Sequence, residues 1–259
     1  MNFTKIDALD TPALEVYRQL RDRAFTQDNS FIADSPKVVN MLLKTSIEVK
    51  SILATKEYFE EFETLVSAKE IPQLFLADKK LMEQIVGHRV HHNCMMHGVR
   101  PQQTPLDRLG NHIIMLDEIS STENIGSIAR SAAALEMDSY LLPEQGPHPY
   151  GRRALRVSMG HISMLKTHLY HDIFSTLDAL KAMGYVVFAA EITEDSIPLS
   201  QIGKSPEKWV LLMGHEGEGL SKEVLKACDK VVHIEMAEGV KSFNVGVAAS
   251  ILMYQLKQK

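Results

Sequence analysis

Three short stretches of this sequence combine glycine with polar side chains at spacings that could build a site. The first is E-I-S-S-T-E-N-I-G-S-I-A-R-S-A-A-A-L-E-M (118–137), where Ser120, Ser121 and Thr122 offer capping hydroxyls ahead of Asn124 and Arg130. A capped helix packed on a sheet explains most of it. It leaves over Arg130, whose neighbours Ser127, Ala133 and Ala134 are small enough to admit a substrate against the guanidinium; a solvent-facing arginine is the plainer alternative. The second stretch, W-V-L-L-M-G-H-E-G-E-G-L-S-K-E-V-L (209–225), puts three glycines between an apolar run and a helical one. Their order is G-x-x-G-x-G, not the G-x-G-x-x-G of a dinucleotide-binding turn. Glu216 and Glu218 stand where a diphosphate would approach, so the loop suits a ligand with a positive centre or a neutral nucleoside. A dinucleotide-dependent enzyme is disfavoured on both counts. The third is E-G-V-K-S-F-N-V-G-V-A-A-S (238–250), where Ser242 or Asn244 could cap the apolar C-terminal helix and Gly239 make the turn before it. Whether it is only a cap, or part of a site, depends on what the other two loops do.

The elements that must position these loops are legible as alternating strands and helices. Residues 12–25 repeat apolar positions at helical spacing and read as a leading helix. S-I-L-A-T, Q-L-F-L-A and N-C-M-M-H-G-V then alternate as strands with helical P-K-V-V-N-M-L-L-K, Y-F-E-E-F-E-T-L-V-S and K-L-M-E-Q-I-V. This is a small α/β unit over residues 1–100. P-Q-Q-T-P-L-D-R-L-G (101–110) is polar, holds two prolines and reads as a linker. From 111 to 259 the strands are stronger: H-I-I-M-L-D-E-I, S-Y-L-L-P, Y-V-V-F-A-A-E, W-V-L-L-M-G and K-V-V-H-I-E-M. Near-continuous apolar strands separated by helices predict a mostly parallel sheet covered on both faces. Ligands of such sheets bind in loops beyond the carboxyl ends of the strands, which is where the three stretches lie.

Composition narrows the class. Hydrophobic residues make up 45% and charged residues 24% of the 259, an ordinary globular balance. No apolar run reaches the ~20 residues that span a bilayer, the first residues hold no signal-peptide core, and Cys94 and Cys228 are far apart. These features predict a cytoplasmic protein without a disulfide framework. The formal net charge is −5, and neither side of Gly110 is basic overall. A nucleic-acid partner would therefore be met by local patches. G-R-R-A-L-R (151–156), with Arg152, Arg153 and Arg156, is the candidate patch, a solvated helical face being the alternative. H-R-V-H-H-N-C-M-M-H (88–97) has four histidines and a cysteine but no C-x-x-C. Adjacent His91 and His92 point to opposite faces if extended, so it reads as a strand, not a metal site. Trp209 and the scattered methionines read as packing.

Taken in order, N-I-G-S-I-A-R, G-H-E-G-E-G-L and I-E-M-A-E-G-V-K-S-F-N-V-G-V-A resemble the three motifs of the SpoU (TrmH-type) RNA 2′-O-ribose methyltransferases of the SPOUT superfamily. The likeness covers residues 111–259. Residues 29–99 resemble the small ribosomal-protein-like α/β domain that precedes the catalytic domain in many members, with F-I-A-D-S-P-K-V-V as its opening, where E-G often replaces this D-S. The resemblance implies a C-terminal trefoil knot and a homodimer with its site at the subunit boundary. It also implies S-adenosyl-L-methionine held by Met213, Gly214, Ile234, Met236 and Phe243. Asn124, Arg130, Glu216, Ser242 and Asn244 become the catalytic set, transferring a methyl group to a ribose 2′-hydroxyl of structured RNA, rRNA in preference to tRNA. An arginine pKa above ~12 favours phosphate and oxygen positioning over proton abstraction for Arg130. Arg152, Arg153 and Arg156 become candidate RNA contacts, and no metal or membrane is implied. A non-catalytic RNA-binding or ribosome-assembly factor that keeps the fold is the rival. Three departures stand out: Glu235 for a proline whose ring would fix φ and without which the loop could loosen; Phe243 for leucine; and Gly246 for serine.

Overall fold

In the computed structural model, residues 1–6, 9, 11–18 and 28–258 are described. Contacts divide the chain into two compact units, Met1–Gln102 with Tyr150–Ser163, and Gln103–Pro149 with Met164–Lys259. The sequence reading placed 150–163 in the C-terminal domain. Its helix belongs by contact to the first unit.

The first unit is built on a four-stranded sheet, β1 (Ser30–Asp34), β4 (Cys94–Val99), β2 (Val49–Ala54) and β3 (Gln73–Leu76), in the order β1-β4-β2-β3. β4 runs antiparallel to both neighbours, and β2 and β3 are parallel. The leading helix α1 covers Pro12–Glu15, and residues 19–25 of the expected longer helix lie outside the described residues. α2 (Pro36–Leu43) starts at Pro36 and buries Val38, Val39, Leu42 and Leu43. The predicted helix over 58–67 is instead two, α3 (Lys56–Glu61) and α4 (Glu63–Ser67), because Phe62 leaves the helical region at φ −115°. α5 (Lys79–Val86) is capped by the Asp78 carboxylate, which accepts from the Leu81 N–H at 2.7 Å. Leu14, Tyr17, Ile32, Leu53, Phe75 and Ile85 fill the core beneath. The 88–97 stretch ends in β4, where burial pushes His97 down to about 4.

Asp34, 5% exposed at the end of β1, is gripped by both arginines that flank a turn of α7 (Arg152–Val157). Arg152 Nε donates to Oδ2 at 2.8 Å and Arg156 Nε to Oδ1 at 2.9 Å. Burial works to raise the Asp34 pKa, but these hydrogen bonds and charges outweigh it and hold it below its usual value.

The second unit is a seven-stranded sheet in the order β7-β6-β5-β10-β8-β11-β9. Its strands are β5 (His112–Leu116), β6 (Ser139–Pro143), β7 (Lys166–Tyr170), β8 (Val186–Ala190), β9 (Ile197–Pro198), β10 (Trp209–Met213) and β11 (Lys230–His233). Every neighbouring pair is parallel, with Trp209 opposite both His112 and Val186. Successive residues serve opposite faces. Ile113, Leu141, Val187 and Val210 pack under α8 (Ile173–Ala182) and α9 (Lys222–Ala227). On the other face lie α6 (Thr122–Ala134) and α10 (Val245–Gln258), with the Tyr140 hydroxyl donating to the Ile125 carbonyl at 2.9 Å. α6 and α10 meet through small residues, and the hydroxyls of Ser131 and Ser250 are 2.8 Å apart. Trp209 is fully buried and stacked on His112, in keeping with a packing role.

The chain steps outward from β5 to β6 and β7, then returns to β8 on the far side of β10. β10 therefore fills the point where the strand order reverses, the place such sheets bind ligands. From Gln103 the expected linker is not free: the Thr104 N–H donates to the Thr167 carbonyl at 2.8 Å, and Leu106 and Leu109 pack on the sheet core. Among the described residues, no helix is long and apolar enough to cross a membrane, and no group of three His, Cys, Asp or Glu side chains is placed to hold a metal.

Candidate active site

The three polar loops leave β5, β10 and β11 at the same end of the sheet and are tied to one another by one chain of hydrogen bonds. Loop 1 (117–121) turns sharply at Glu118 (φ +54°) and ends at Ser121, whose hydroxyl caps α6 by accepting from the Asn124 N–H at 3.3 Å. Loop 2 (214–221) folds back on itself, the Gly219 N–H donating to the His215 carbonyl at 2.9 Å. Its first glycine is obligatory. A Cβ on Gly214 would lie 2.6 Å from the Gly219 carbonyl carbon, and backbone cannot step aside.

At the tip of loop 2 the Glu216 carboxylate crosses to loop 1. It accepts from the N–H groups of Ser120 (3.2 Å) and Ser121 (3.1 Å) and from the Asn124 side-chain amide (2.8 Å). Burial works to raise its pKa, but the Asn124 amide and the Ser120 and Ser121 N–H groups outweigh it and hold the group down at about 2. Glu216 is thus a fixed anion at the positive N-terminal end of α6.

From Asn124 the chain continues to loop 3 (234–244). The Asn124 Oδ1 accepts from the Asn244 amide at 3.1 Å, and the Asn244 Oδ1 accepts from the Gly246 N–H at 2.9 Å. A carboxylate at one end and an N–H at the other dictate how both amides are turned. Asn244 is therefore the cap of α10 and, through the same side chain, a member of the site. Gly239 (φ +84°) makes the preceding turn, with the Val240 N–H on the Ala237 carbonyl at 3.1 Å. Gly246, where the family has serine, faces Ser127: a Cβ there would lie 2.5 Å from the Ser127 Oγ, and that hydroxyl would have to turn away.

Beside this chain opens a cavity of about 380 Å³. Met213, Gly214, Ile234, Met236 and Phe243, the five residues expected to hold a cofactor, all line it, as do Glu216 and Ser242. Glu235, where the family has proline, is tied to a neighbouring loop. Its carboxylate accepts from both the N–H and the hydroxyl of Ser200, and the hydroxyl bond lowers its pKa.

Arg130 is not brought to the cavity. It lies exposed on α6 and makes no hydrogen bond or ion pair among the described residues. Arg152, Arg153 and Arg156 lie in the first unit, two of them engaged by Asp34. Sequence reasoning also missed a third wall of the cavity, Ala190, Glu191 and Ile192 at the end of β8. The Glu191 carboxylate accepts from the Leu220 N–H at 3.2 Å and fills the space where a Cβ on Gly219 would project. The strand-end rule that singled out the other loops applied equally to A-A-E-I.

Fold and site together define an α/β protein with a cavity at the reversal point of a parallel sheet, lined by apolar side chains and by the carboxylates of Glu191, Glu216 and Glu218. The profile of the SpoU rRNA Methylase family matches residues 111–254, and the chain belongs to that family. At that level it is an RNA methyltransferase. An uncharacterized tRNA/rRNA methyltransferase of Mycobacterium tuberculosis is 27% identical over 95% of this chain and 88% of its own. The 23S rRNA (guanosine(2553)-2'-O)-methyltransferase RlmP of Bacillus subtilis is 26% identical over 90% of each chain. Among solved structures, an AdoMet-bound rRNA methyltransferase from Sinorhizobium meliloti matches 99% of this chain and 98% of its own, with a TM-score of 0.84 at 20% identity. The SpoU methyltransferase AviRb from Streptomyces viridochromogenes, in complex with AdoMet, matches 96% and 97% with a TM-score of 0.80 at 19% identity.

Proposed function

We propose that this protein transfers a methyl group from S-adenosylmethionine to a ribose 2′-hydroxyl of structured RNA, rRNA in preference to tRNA, and works as a homodimer in the cytoplasm. The observation that carries this is the hydrogen-bonded chain Glu216–Asn124–Asn244, which joins all three family motifs beside a single cavity. The relative named as a 23S rRNA 2'-O-methyltransferase spans nearly the whole chain and supports both the ribose position and the rRNA preference.

The residues present fit a sulfonium cofactor. Met213, Ile234, Met236 and Phe243 supply apolar walls for an adenosyl group, the close-packed backbone at Gly214 offers its polar groups, and Glu191 and Glu216 place negative charge around the cavity. S-adenosylmethionine, when bound, supplies an electrophilic methyl carbon that a ribose oxygen attacks as the carbon–sulfur bond breaks, releasing S-adenosylhomocysteine and the hydroxyl proton. The protein's part is alignment of acceptor and donor. Asn124 and Asn244 fix the two loops that flank the reacting atoms, Glu216 locks loop 2 to α6, and Ser242 offers a hydroxyl at the cavity wall. Arg130, too basic to serve as a free-standing base, holds the phosphate and oxygen next to the reacting ribose.

Arg130 and the cavity do not meet within one chain, which is what a site shared between subunits requires. The exposed apolar side chains on α10, Val247 at 47% and Tyr254 at 54%, one above the other at i, i+7, offer a face for the partner. The family's trefoil knot belongs to the same proposal. Arg152, Arg153 and Arg156 are proposed as RNA contacts. The test is transfer of labelled methyl groups from S-adenosylmethionine to purified rRNA and tRNA by the wild type and by Arg130→Ala. Incorporation by the wild type and none by the variant, with S-adenosylhomocysteine affinity within about twofold, is expected. Equal turnover by the variant would refute the role of Arg130. No cofactor binding and no incorporation into any RNA would favour a non-catalytic factor.

A further inference from the structure

The loop that follows β8, residues 191–201, touches both cofactor loops and belongs to none of the three motifs. At its start, Glu191 lines the cavity and accepts the Leu220 N–H of loop 2 at 3.2 Å. At its end, Ser200 donates its hydroxyl and its N–H to Glu235 of loop 3. Between them the segment is stapled to the sheet. β9 adds to the edge of β11 with Ile197 opposite Val232, and the Ser196 hydroxyl lies 2.9 Å from the His233 Nδ1. A two-residue strand at the rim contributes little to the sheet itself. Its placement matters because it fixes two polar groups, one against each loop.

We propose that the 191–201 segment positions both cofactor loops, with Glu191 holding loop 2 and Ser200, through Glu235, holding loop 3. The second half explains the departure from the family's proline. Proline would restrict the backbone by its ring. Here a carboxylate bonded to a neighbouring loop does the same work from outside. The Glu235 N–H donates to no backbone carbonyl among the described residues, so a proline there breaks no ladder bond. Glu191 and Ser200 are positioning residues, and they rest on the reading of this cavity as the cofactor site only for their effect on affinity.

The test is hydrogen–deuterium exchange of the full-length protein with no ligand added, followed by calorimetry with S-adenosylhomocysteine. Glu191→Ala should speed exchange in 214–222 about tenfold and leave 234–244 unchanged, as loss of one charge-assisted hydrogen bond in a local opening predicts. Ser200→Ala should do the converse. Glu191→Gln keeps one side-chain carbonyl for the Leu220 N–H but loses the charge and the second oxygen, which accepts the Ile192 N–H at 2.9 Å, and should exchange more slowly than Glu191→Ala though faster than the wild type. In a Glu235→Pro background, Ser200→Ala should become silent. Affinity should fall about tenfold in each alanine variant and recover in the Ser200→Ala, Glu235→Pro double variant. Unchanged exchange in both alanine variants, or no rescue by glutamine and proline, overturns the inference. Wild-type protein that binds no S-adenosylhomocysteine refutes the cofactor reading instead, and the exchange pattern still decides the positioning role.

Discussion

Asn124→Asp exchanges one amide nitrogen for oxygen and turns the 2.8 Å donor contact with Glu216 into a meeting of two acceptors. A charge-assisted hydrogen bond is lost, worth about 1.5 kcal/mol at the low end of its range because Glu216 is exposed. Two like charges about 4 Å apart also repel, by ~1 kcal/mol in bulk water and ~4 kcal/mol at an effective dielectric of 20; exposure places this pair near 1–2 kcal/mol. The total is about 3 kcal/mol near neutral pH, against about 1.5 kcal/mol for Asn124→Ala, which loses the bond without adding a charge. The pH dependence separates the two. In the wild type Glu216 is held at about 2, below its usual 4.5, so its contribution is complete above 4.5 and disappears as pH falls through 2. In Asn124→Asp the two carboxyl groups share a proton in the folded state with a raised pKa, so the variant regains stability as the pH falls toward the ordinary carboxylate range. Urea unfolding of the three proteins between about pH 7.5 and 4.5 reads this directly. The Asp variant should start well below the Ala variant and approach it in acid. A gap between them that is absent at neutral pH, or that does not change with pH, would refute the proposed contact.

Gly214→Ala pushes a methyl group to 2.6 Å from a backbone carbon and should cost about 2–3 kcal/mol with loss of S-adenosylhomocysteine binding, read by thermal unfolding and calorimetry. Gly203→Ala, with nothing within 4 Å of the new Cβ, is the matched control and should be neutral in binding. Asp34→Asn removes the charge and one of the two buried oxygens that Arg152 and Arg156 share, and should cost about 3 kcal/mol in equilibrium unfolding. Because the Asp34 pKa is depressed, that contribution is present above the ordinary carboxylate range and lost as pH falls through the lower folded value, so wild type and variant should converge in strong acid. Arg153→Ala, exposed on the same helix, should weaken RNA binding across sequences and lower the slope of log affinity against log salt by about 1, measured by titration at several salt concentrations.

The parallel sheet was legible because its inner strands are buried on both faces: Trp209–Met213 and Ile113–Leu116 are apolar at every position. K-T-H-L-Y, which forms β7, was not, since an edge strand alternates polar and apolar residues and carries no such run. The three loops of the site were found from their glycines and short polar residues. Their contacts were not, because Glu216 reaches Asn124 across 92 residues and Asn244 reaches it across 120. The same distance hid the grip of Arg156 on Asp34, 122 residues apart, and with it the placement of α7 in the first unit. Glu191 sat in plain view at a strand end but without glycine beside it. Glu235 and Gly246 were recognised as departures from the family, but the neighbours they meet, Ser200 and Ser127, are distant in sequence.

The most direct test is the chemical position of the methyl group. Purified protein, S-adenosylmethionine and unmodified transcribed rRNA are incubated, the RNA is digested to nucleosides, and the products are resolved by mass spectrometry. A single 2′-O-methylated nucleoside, absent with Arg130→Ala, is the predicted result. A methyl group on a base, or on no nucleoside of rRNA or tRNA, would contradict a site in which Arg130, Asn124 and Asn244 align a ribose oxygen.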